Sequence, residues 1–364
     1  MQRRQNIRSQ PSARQWRLAA LLWLAVLVAA AGVARADEPA PELGKYDRQV
    51  DEAIDRGLAY LATRQKPDGS FLDPGGHDVA VPSLCAMAFL AKGYTPGTGP
   101  YGQVINRSID YVLANRQQAD GMFGGGAGSY GRMYGHGIST LMICEVSGMV
   151  DPERQKKIDA AMGEALKLTL AAQQIVKPPP HSGGWRYLPS SGDSDISCTG
   201  WQLMSLRSAR NAGAPVPKEA IDRAVTYILG LQTPDGGFGY ASPSGPGLAR
   251  TGTALLCLEL CGRHGHKATT TAGDWILRNL PANFGSDYFS YACYYASQGM
   301  FQLGGDYWKQ WAARMYELML KFQQADGSWP AGGGGEVTAG ACYSTAMAIL
   351  AMSVPYRQLP IYQR

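Results

Sequence analysis

Two acids in the run Asp193-Ser194-Asp195-Ile196-Ser197 stand just before an apolar stretch. A carboxylic acid in apolar surroundings holds its proton to higher pH and can act as a general acid. Asp195, with Asp193 beside it, is therefore the first candidate for catalysis. The same spacing suits a structural task, because an Asp ahead of a helix caps it by accepting the free N–H of Ser197 or Cys198. His136, in Gly135-His136-Gly137 close to Arg132 and Tyr134, is the next best-placed titratable group. Trp201, Tyr288, Tyr291 and Tyr343 fall at or near the starts of apolar stretches, where they could line a ligand pocket by stacking or cation–π contact. Metal chemistry is not indicated: His264-x-His266 lacks the third donor that a zinc site needs, and no cofactor is expected.

The elements that must position these residues follow from a repeat. A glutamine, two spacers, Asp-Gly, one spacer and an aromatic recur at Gln65–Phe71, Gln117–Phe123, Gln232–Phe238 and Gln323–Trp329, with degenerate copies at Gly183-Gly184-Trp185 and Asn283-Phe284-Gly285. A period of about 50 residues signals an array of similar units. Before the turn comes a one-sided helix pattern, as in Val50, Ile54, Leu58 and Leu61 or Ile221, Val225, Ile228 and Leu229. The fifth such helix, near Trp275 to Leu280, has the faintest pattern. After the turn comes a helix apolar on nearly every side: Ser83–Ala91, Ile138–Val146, Thr199–Leu206, Thr251–Leu260, Tyr291–Leu303 and Cys342–Met352. Such helices must be buried all round. Six outer and six inner helices in alternation predict an all-α, (α/α)6 toroid or barrel of six helical hairpins. Glu145 and Glu259 interrupt inner helices at matching places, with Arg207 in the equivalent slot between, which predicts a buried Glu145–Arg207–Glu259 layer.

The spacing Tyr60-Leu61, Gln65, Gly69, Phe71, repeated at Tyr227, Gln232, Gly236 and Phe238, resembles the QW repeat of squalene–hopene and other class II terpenoid cyclases. The resemblance to the terpenoid cyclase/protein prenyltransferase toroid superfamily covers essentially the whole chain after its N-terminal segment. It implies the fold strongly and a function weakly. Prenyltransferase zinc ligation is not matched: Cys342-Tyr343-Ser344 survives, but Gly340 stands at the Asp position and no His follows His266. The Cys-Gly-Glu-Gln run of thioester toroids is absent as well. Class II cyclases carry Asp-x-Asp-Asp; here Asp193 and Asp195 match and Ile196 stands in place of the last acid. Those cyclases also set the cavity between two toroids, and one is encoded here.

Residues 1–36 stand apart from the repeats. Arg3, Arg4, Arg8, Arg14 and Arg17 precede an apolar run, Leu18 to Val33, that ends in Ala34-Arg35-Ala36. This reads as a secretory signal, with an uncleaved membrane anchor as the alternative. The expected divisions are 1–36 signal, 37–48 lead, 49–355 toroid and 356–364 tail, in an exported protein that has no membrane span once the signal is cleaved. Six arginines and no acid lie in the signal, so removing it turns 34 basic and 29 acidic residues into 28 and 29. That balance offers nothing to nucleic acid. Six of the seven cysteines fall one to each inner helix, as buried thiols do. Three functions follow as expectations. The first is binding of a hydrophobic, isoprenoid-like small molecule, with cyclase chemistry at Asp193 and Asp195 resting on an incomplete motif. The second is a non-catalytic binding or assembly module with an envelope protein as partner. The third is a polysaccharide-acting enzyme that uses Asp78 with Asp195.

Overall fold

The structure is a computed structural model that describes residues 43–72, 79–117, 119–124, 132–285 and 288–363 of the 364-residue chain. Residues 1–36, expected as a signal, and Asp78 lie outside the described residues. Outer helices α1 (Gly44–Arg64), α3 (Gly102–Ala114), α5 (Pro152–Gln174), α7 (Lys218–Leu229), α9 (Lys267–Arg278) and α11 (Gly305–Phe322) alternate with inner helices. The inner set is α2 (Ala80–Ala91), α4 (Arg132–Val146), α6 (Ile196–Asn211), α8 (Leu248–Leu260), α10 (Phe289–Leu303) and α13 (Ala341–Met352). A short α12 (Glu336–Ala339) precedes α13.

Neighbouring inner helices touch in sequence order, and α13 returns to α2, so the inner ring is closed. Outer α11 likewise meets α1. Each inner helix packs on the outer helix that follows it, with α13 on α1. All twelve residues of α2 are buried, whereas α1 buries only the stripe Val50, Ala53, Ile54, Gly57, Leu58 and Leu61. That difference is the one the hydrophobic patterns foretold. Small residues let the inner helices approach closely: a Cβ on Gly252 of α8 would come within 2.7 Å of the Ala296 backbone nitrogen of α10. The fifth outer helix begins well before Trp275, because Ala268 and Ala272 continue its apolar stripe.

The turns hold the outer ring together. Gln65 donates to the Val104 carbonyl and Ser108 hydroxyl of α3, and Arg107 of α3 donates to the Gln65 Oε1. Gln323 bonds the Ala53 carbonyl of α1 and receives Arg56, which closes the circle. Gln232 reaches Ala268 and Thr271 of α9. In the third repeat the glutamine is Gln173, tied to Ala220 and Arg223 of α7. Its glycine is Gly183 (φ 92°) rather than the Gly184 suggested by the pattern, because a proline loop is inserted between the two parts of the motif. The second copy also departs. Phe123 bridges to Arg116 instead of Gln117, and Arg116 pairs with Glu164 of α5 while Gln117 bonds the Gly124 carbonyl.

Glu145 finds partners other than the expected Arg207. Ser208 and the Ile361 amide donate to Glu145, and His264 meets Glu259 at 2.8 Å. The returning C-terminal segment supplies the donor that Arg207 was expected to supply. Cys144, Cys198, Cys257, Cys261 and Cys293 are free thiols.

Two glycine substitutions separate the strain of the turn from its packing. Gly327 has φ 90°, and a Cβ there would lie 2.5 Å from the Arg56 carbonyl oxygen, whereas Gly285 (φ 91°) has nothing within 4 Å. Gly327→Ala is expected to cost ~3 kcal/mol and Gly285→Ala only ~1 kcal/mol in chemical denaturation. Equal losses would show that the close approach contributes nothing.

Candidate functional site

The turn-side end of the inner ring gathers the candidates. The aromatic of each turn is a buried wedge, and its amide is held by the following inner helix: Trp185 by the Thr199 hydroxyl, Phe238 by Thr251 and Trp329 by Thr345, each at 3.0 Å. The Trp185 indole N–H donates to the Thr169 carbonyl at 2.8 Å. With Trp185 fixed, its carbonyl accepts the Asp195 amide at 2.9 Å and sets that residue at the head of α6.

Asp195 is fully buried. Its Oδ1 accepts the Cys198 amide at 2.8 Å, so it caps α6. Its Oδ2 has no hydrogen-bond partner and lies 3.7 Å from the Arg186 Nε. Burial pushes the acid up to about 6, against the opposing pull of the Cys198 amide and the Arg186 guanidinium. Asp193 is half exposed and accepts Arg186 at 2.7 Å. Arg186 also stacks on the Tyr187 and Tyr240 rings, at 4.9 and 5.6 Å. The hydroxyls of those two tyrosines meet at 2.6 Å, and the Tyr134 ring lies 6.0 Å from that of Tyr187.

A second carboxylate closes the opposite side. Glu336 is buried, and it accepts the amides of Tyr291 at 2.8 Å and Gly332 at 3.1 Å. It thereby caps α10 from outside, and burial raises its pKa. Tyr288 precedes α10 in the left-handed region (φ 56°, ψ 39°) and is half exposed. Such a conformation in a bulky residue is uncommon and marks local strain. Tyr343 is raised by burial, then by the nearby Glu336 charge and by Tyr291 and Tyr288, so these groups share one neighbourhood.

Beneath the mouth the bore is filled. Trp201 stacks on Tyr294 at 5.7 Å and meets Tyr295 and Tyr291 edge-on at 5.4 and 6.4 Å. At the far end the Tyr294 hydroxyl bonds that of Tyr362 at 2.7 Å. Trp201 is thus a floor, while Tyr288 is on the rim.

His136 is not on the mouth surface. It is fully buried. Its Nδ1 accepts the Phe123 amide at 3.3 Å, and its Nε2 faces the Ala165 carbonyl and Thr169 hydroxyl at 3.2 and 3.1 Å. It performs the wedge-holding task that threonines perform in three other repeats. A neutral ring with its proton on Nε2 satisfies these partners, which leaves no nitrogen for a ligand. The residues that sequence reasoning missed are Arg186, Tyr240 and Glu336. Arg186 follows the wedge Trp185 directly and Tyr240 lies two positions after Phe238, and that adjacency was the available signal.

No group of three or more metal-binding side chains occurs among the described residues, and no helix among them is long and apolar enough to cross a membrane. The molecule is a closed double ring of helices with a capped, aromatic mouth. The family model described as the prenyltransferase alpha-alpha toroid domain matches residues 104–286 and 282–360, and the chain belongs to that family. Among solved structures it is similar to the type II terpene cyclase MstE from Scytonema, at 14% identity over 86% of this chain and 99% of that chain, with a TM-score of 0.56. It is also similar to the GH76A α-1,6-mannanase of Salegentibacter sp. HEL1_6, at 8% identity over 85% and 99% of the two chains, with a TM-score of 0.61. The GH76 α-mannanase of Bacteroides thetaiotaomicron gives 10%, 88% and 98%, and 0.58. At these identities the likeness is one of fold. No curated protein matches the chain.

Burial lowers the His136 pKa from an ordinary 6.5 to about 4. Between those values the unfolded chain takes up a proton that the folded one refuses. Stability due to this residue therefore falls as pH drops from about 6.5 to about 4, by up to ~3 kcal/mol. Asp195 and Glu145, raised by burial to about 6 and about 7, act in the opposite sense and relieve strain when protonated. An NMR titration is expected to show the His136 ring neutral, with its proton on Nε2, down to about pH 4. A midpoint near 6.5 would remove the argument for a structural imidazole.

Proposed function

We propose that the protein binds an apolar, isoprenoid-like small molecule at the turn-side mouth and does not cyclise it. The observation that carries this reading is the tyrosine-lined rim over the Trp201–Tyr294 floor, with Asp195 at its edge. Leu72, Leu188, Tyr288 and Val337 are large apolar side chains left exposed in the same turn-side segments, which favours an apolar visitor. The similar terpene cyclase MstE has been solved, as a variant, in complex with its substrate geranylgeranyl dihydroxybenzoate, an isoprenoid compound in keeping with this ligand class.

Three features speak against cyclisation. Ile196, fully buried, occupies the place of the third acid. One oxygen of Asp195 is committed to the helix cap, and Arg186 sits beside the other. Alkene protonation needs a strong, hydrogen-bonded acid in an apolar cavity, whereas here the bore below is packed with Trp201, Tyr294 and Tyr295. A polysaccharide-acting role needs two carboxylates free to reach substrate. Among the described residues the second buried acid at the mouth, Glu336, accepts backbone amides with both oxygens. The leader-like residues 1–36 support a site of action outside the cytoplasm.

Titration with geranylgeraniol and squalene, read by tryptophan fluorescence and followed by product analysis, tests the proposal. Saturable binding with unchanged ligand is expected. Tyr288→Ala should weaken binding about fivefold while leaving the unfolding midpoint in place, since Tyr288 is half exposed. Formation of a cyclised product that disappears in Asp195→Asn would overturn the non-catalytic reading.

A further inference from the structure

The last inner helix, α13, ends at Met352, and the chain then crosses the far end of the ring. Its final turn, Pro360–Tyr362, packs on α6, which stands opposite α13 in the ring of six. Leu359, Ile361 and Tyr362 are buried there. The Ile361 amide donates to Glu145 of α4 at 3.1 Å, and the Tyr362 hydroxyl meets that of Tyr294 of α10 at 2.7 Å. One short segment thereby reaches three inner helices across the bore.

This segment is built as a separate knob. The Tyr362 and Gln363 amides bond the Leu359 and Pro360 carbonyls, and the Gln363 side chain donates to the carbonyls of Arg357 and Gln358. Those bonds are internal and survive if the knob lifts away. The joint that attaches it is Arg357, which is exposed and left-handed (φ 51°). That region is disfavoured for a long side chain, and such strain gathers at switch points.

The knob is seated on a carboxylate. Glu145 is fully buried and accepts the Ser208 hydroxyl as well as the Ile361 amide. Burying an ionised acid with so few donors is costly, and lifting the knob readmits water. Burial raises Glu145 from 4.5 to about 7, against the pull of Ser208 and Ile361. Cys144 on the same helix, Tyr294 on α10 and Tyr362 on the knob face the same charge, and burial raises all three. They stay neutral through the range in which Glu145 ionises.

We propose that residues 357–363 form a detachable strap that shuts the far end of the ring, with Glu145 as its latch. Closed, the strap holds Tyr294 and with it the Trp201–Tyr294 stack beneath the mouth. Released, it uncovers Glu145 and Tyr294 to solvent. The device stands whatever ligand the mouth takes. An open strap lets Glu145 ionise near 4.5, whereas the closed form keeps the proton up to about 7. Raising the pH between those values therefore favours opening, by up to roughly a hundredfold, and no further change follows above them.

Hydrogen–deuterium exchange of the full chain, read by mass spectrometry and corrected for the intrinsic rate at each pH, tests this. Protection of the strap is expected to lie below that of α6 and α10 throughout. It should fall by roughly a hundredfold as the pH rises across the Glu145 range. Glu145→Gln keeps the shape without the charge and should leave strap protection flat with pH. Tyr362→Phe removes the bond to Tyr294 and should lower strap protection severalfold while α6 and α10 are unchanged. Strap amides that exchange only along with α6 and α10 would show the segment to be core and overturn the strap. Protection that is flat in the unaltered chain, or that falls equally in Glu145→Gln, overturns Glu145 as the latch.

Discussion

The close approach between each turn and the next outer helix is the constraint on which the ring depends. In five of six repeats the turn glycine has a positive φ and sits where a Cβ would collide with the neighbouring outer helix, at Arg107, Glu164, Arg223, Thr271 or Arg56. Side-chain bonds then fasten the contact. Glutamines 65, 173, 232 and 323 reach across, and in the fifth junction Arg314 reaches back to the Pro281 and Ala282 carbonyls. Each such bond is worth only about 1 kcal/mol, but together they fix the angular step between units. The last one, Gln323 to α1, joins residues 270 apart in sequence and converts a solenoid into a closed ring.

The same constraint builds the mouth. Because the turn is locked to the outer ring, its aromatic can be driven between helices, where Thr199, Thr251, Thr345 or His136 holds its amide. The residues just beyond the wedge then arrive at fixed places around the opening. Arg186 and Tyr187 follow Trp185, and Tyr240 follows Phe238. Their mutual stacking and hydrogen bonding is therefore a consequence of ring assembly.

The repeat, the two helix classes and the closed toroid were legible in the sequence because hydrophobic period and turn chemistry are local signals. The Asp195 cap was legible for the same reason. The fate of His136 was not: its ring is consumed by Phe123, Ala165 and Thr169, and only three-dimensional superposition of the repeats shows it standing in for a threonine. The partners of Glu145 were not legible either, because one of them is the Ile361 amide, 216 positions away. Glu336 was hidden in a glycine-rich stretch that reads as a loop, and nothing local reveals that it caps a helix whose start lies at Phe289. Gln173 was missed because the proline loop separates it from its glycine.

Capping inner helices with carboxylates has a further electrostatic effect. A bare helix N-terminus presents roughly half a positive charge, and six of them converging on one opening would make a strong anion trap. Asp195 and Glu336 cancel that field at α6 and α10, and burial holds both acids above their usual range. Neutralisation of this kind lets one toroid frame surround either a charged or an uncharged ligand according to which caps it carries. Function in such a fold is therefore written in a few residues at the heads of the inner helices, while the turn motif that announces the family carries information about closure alone.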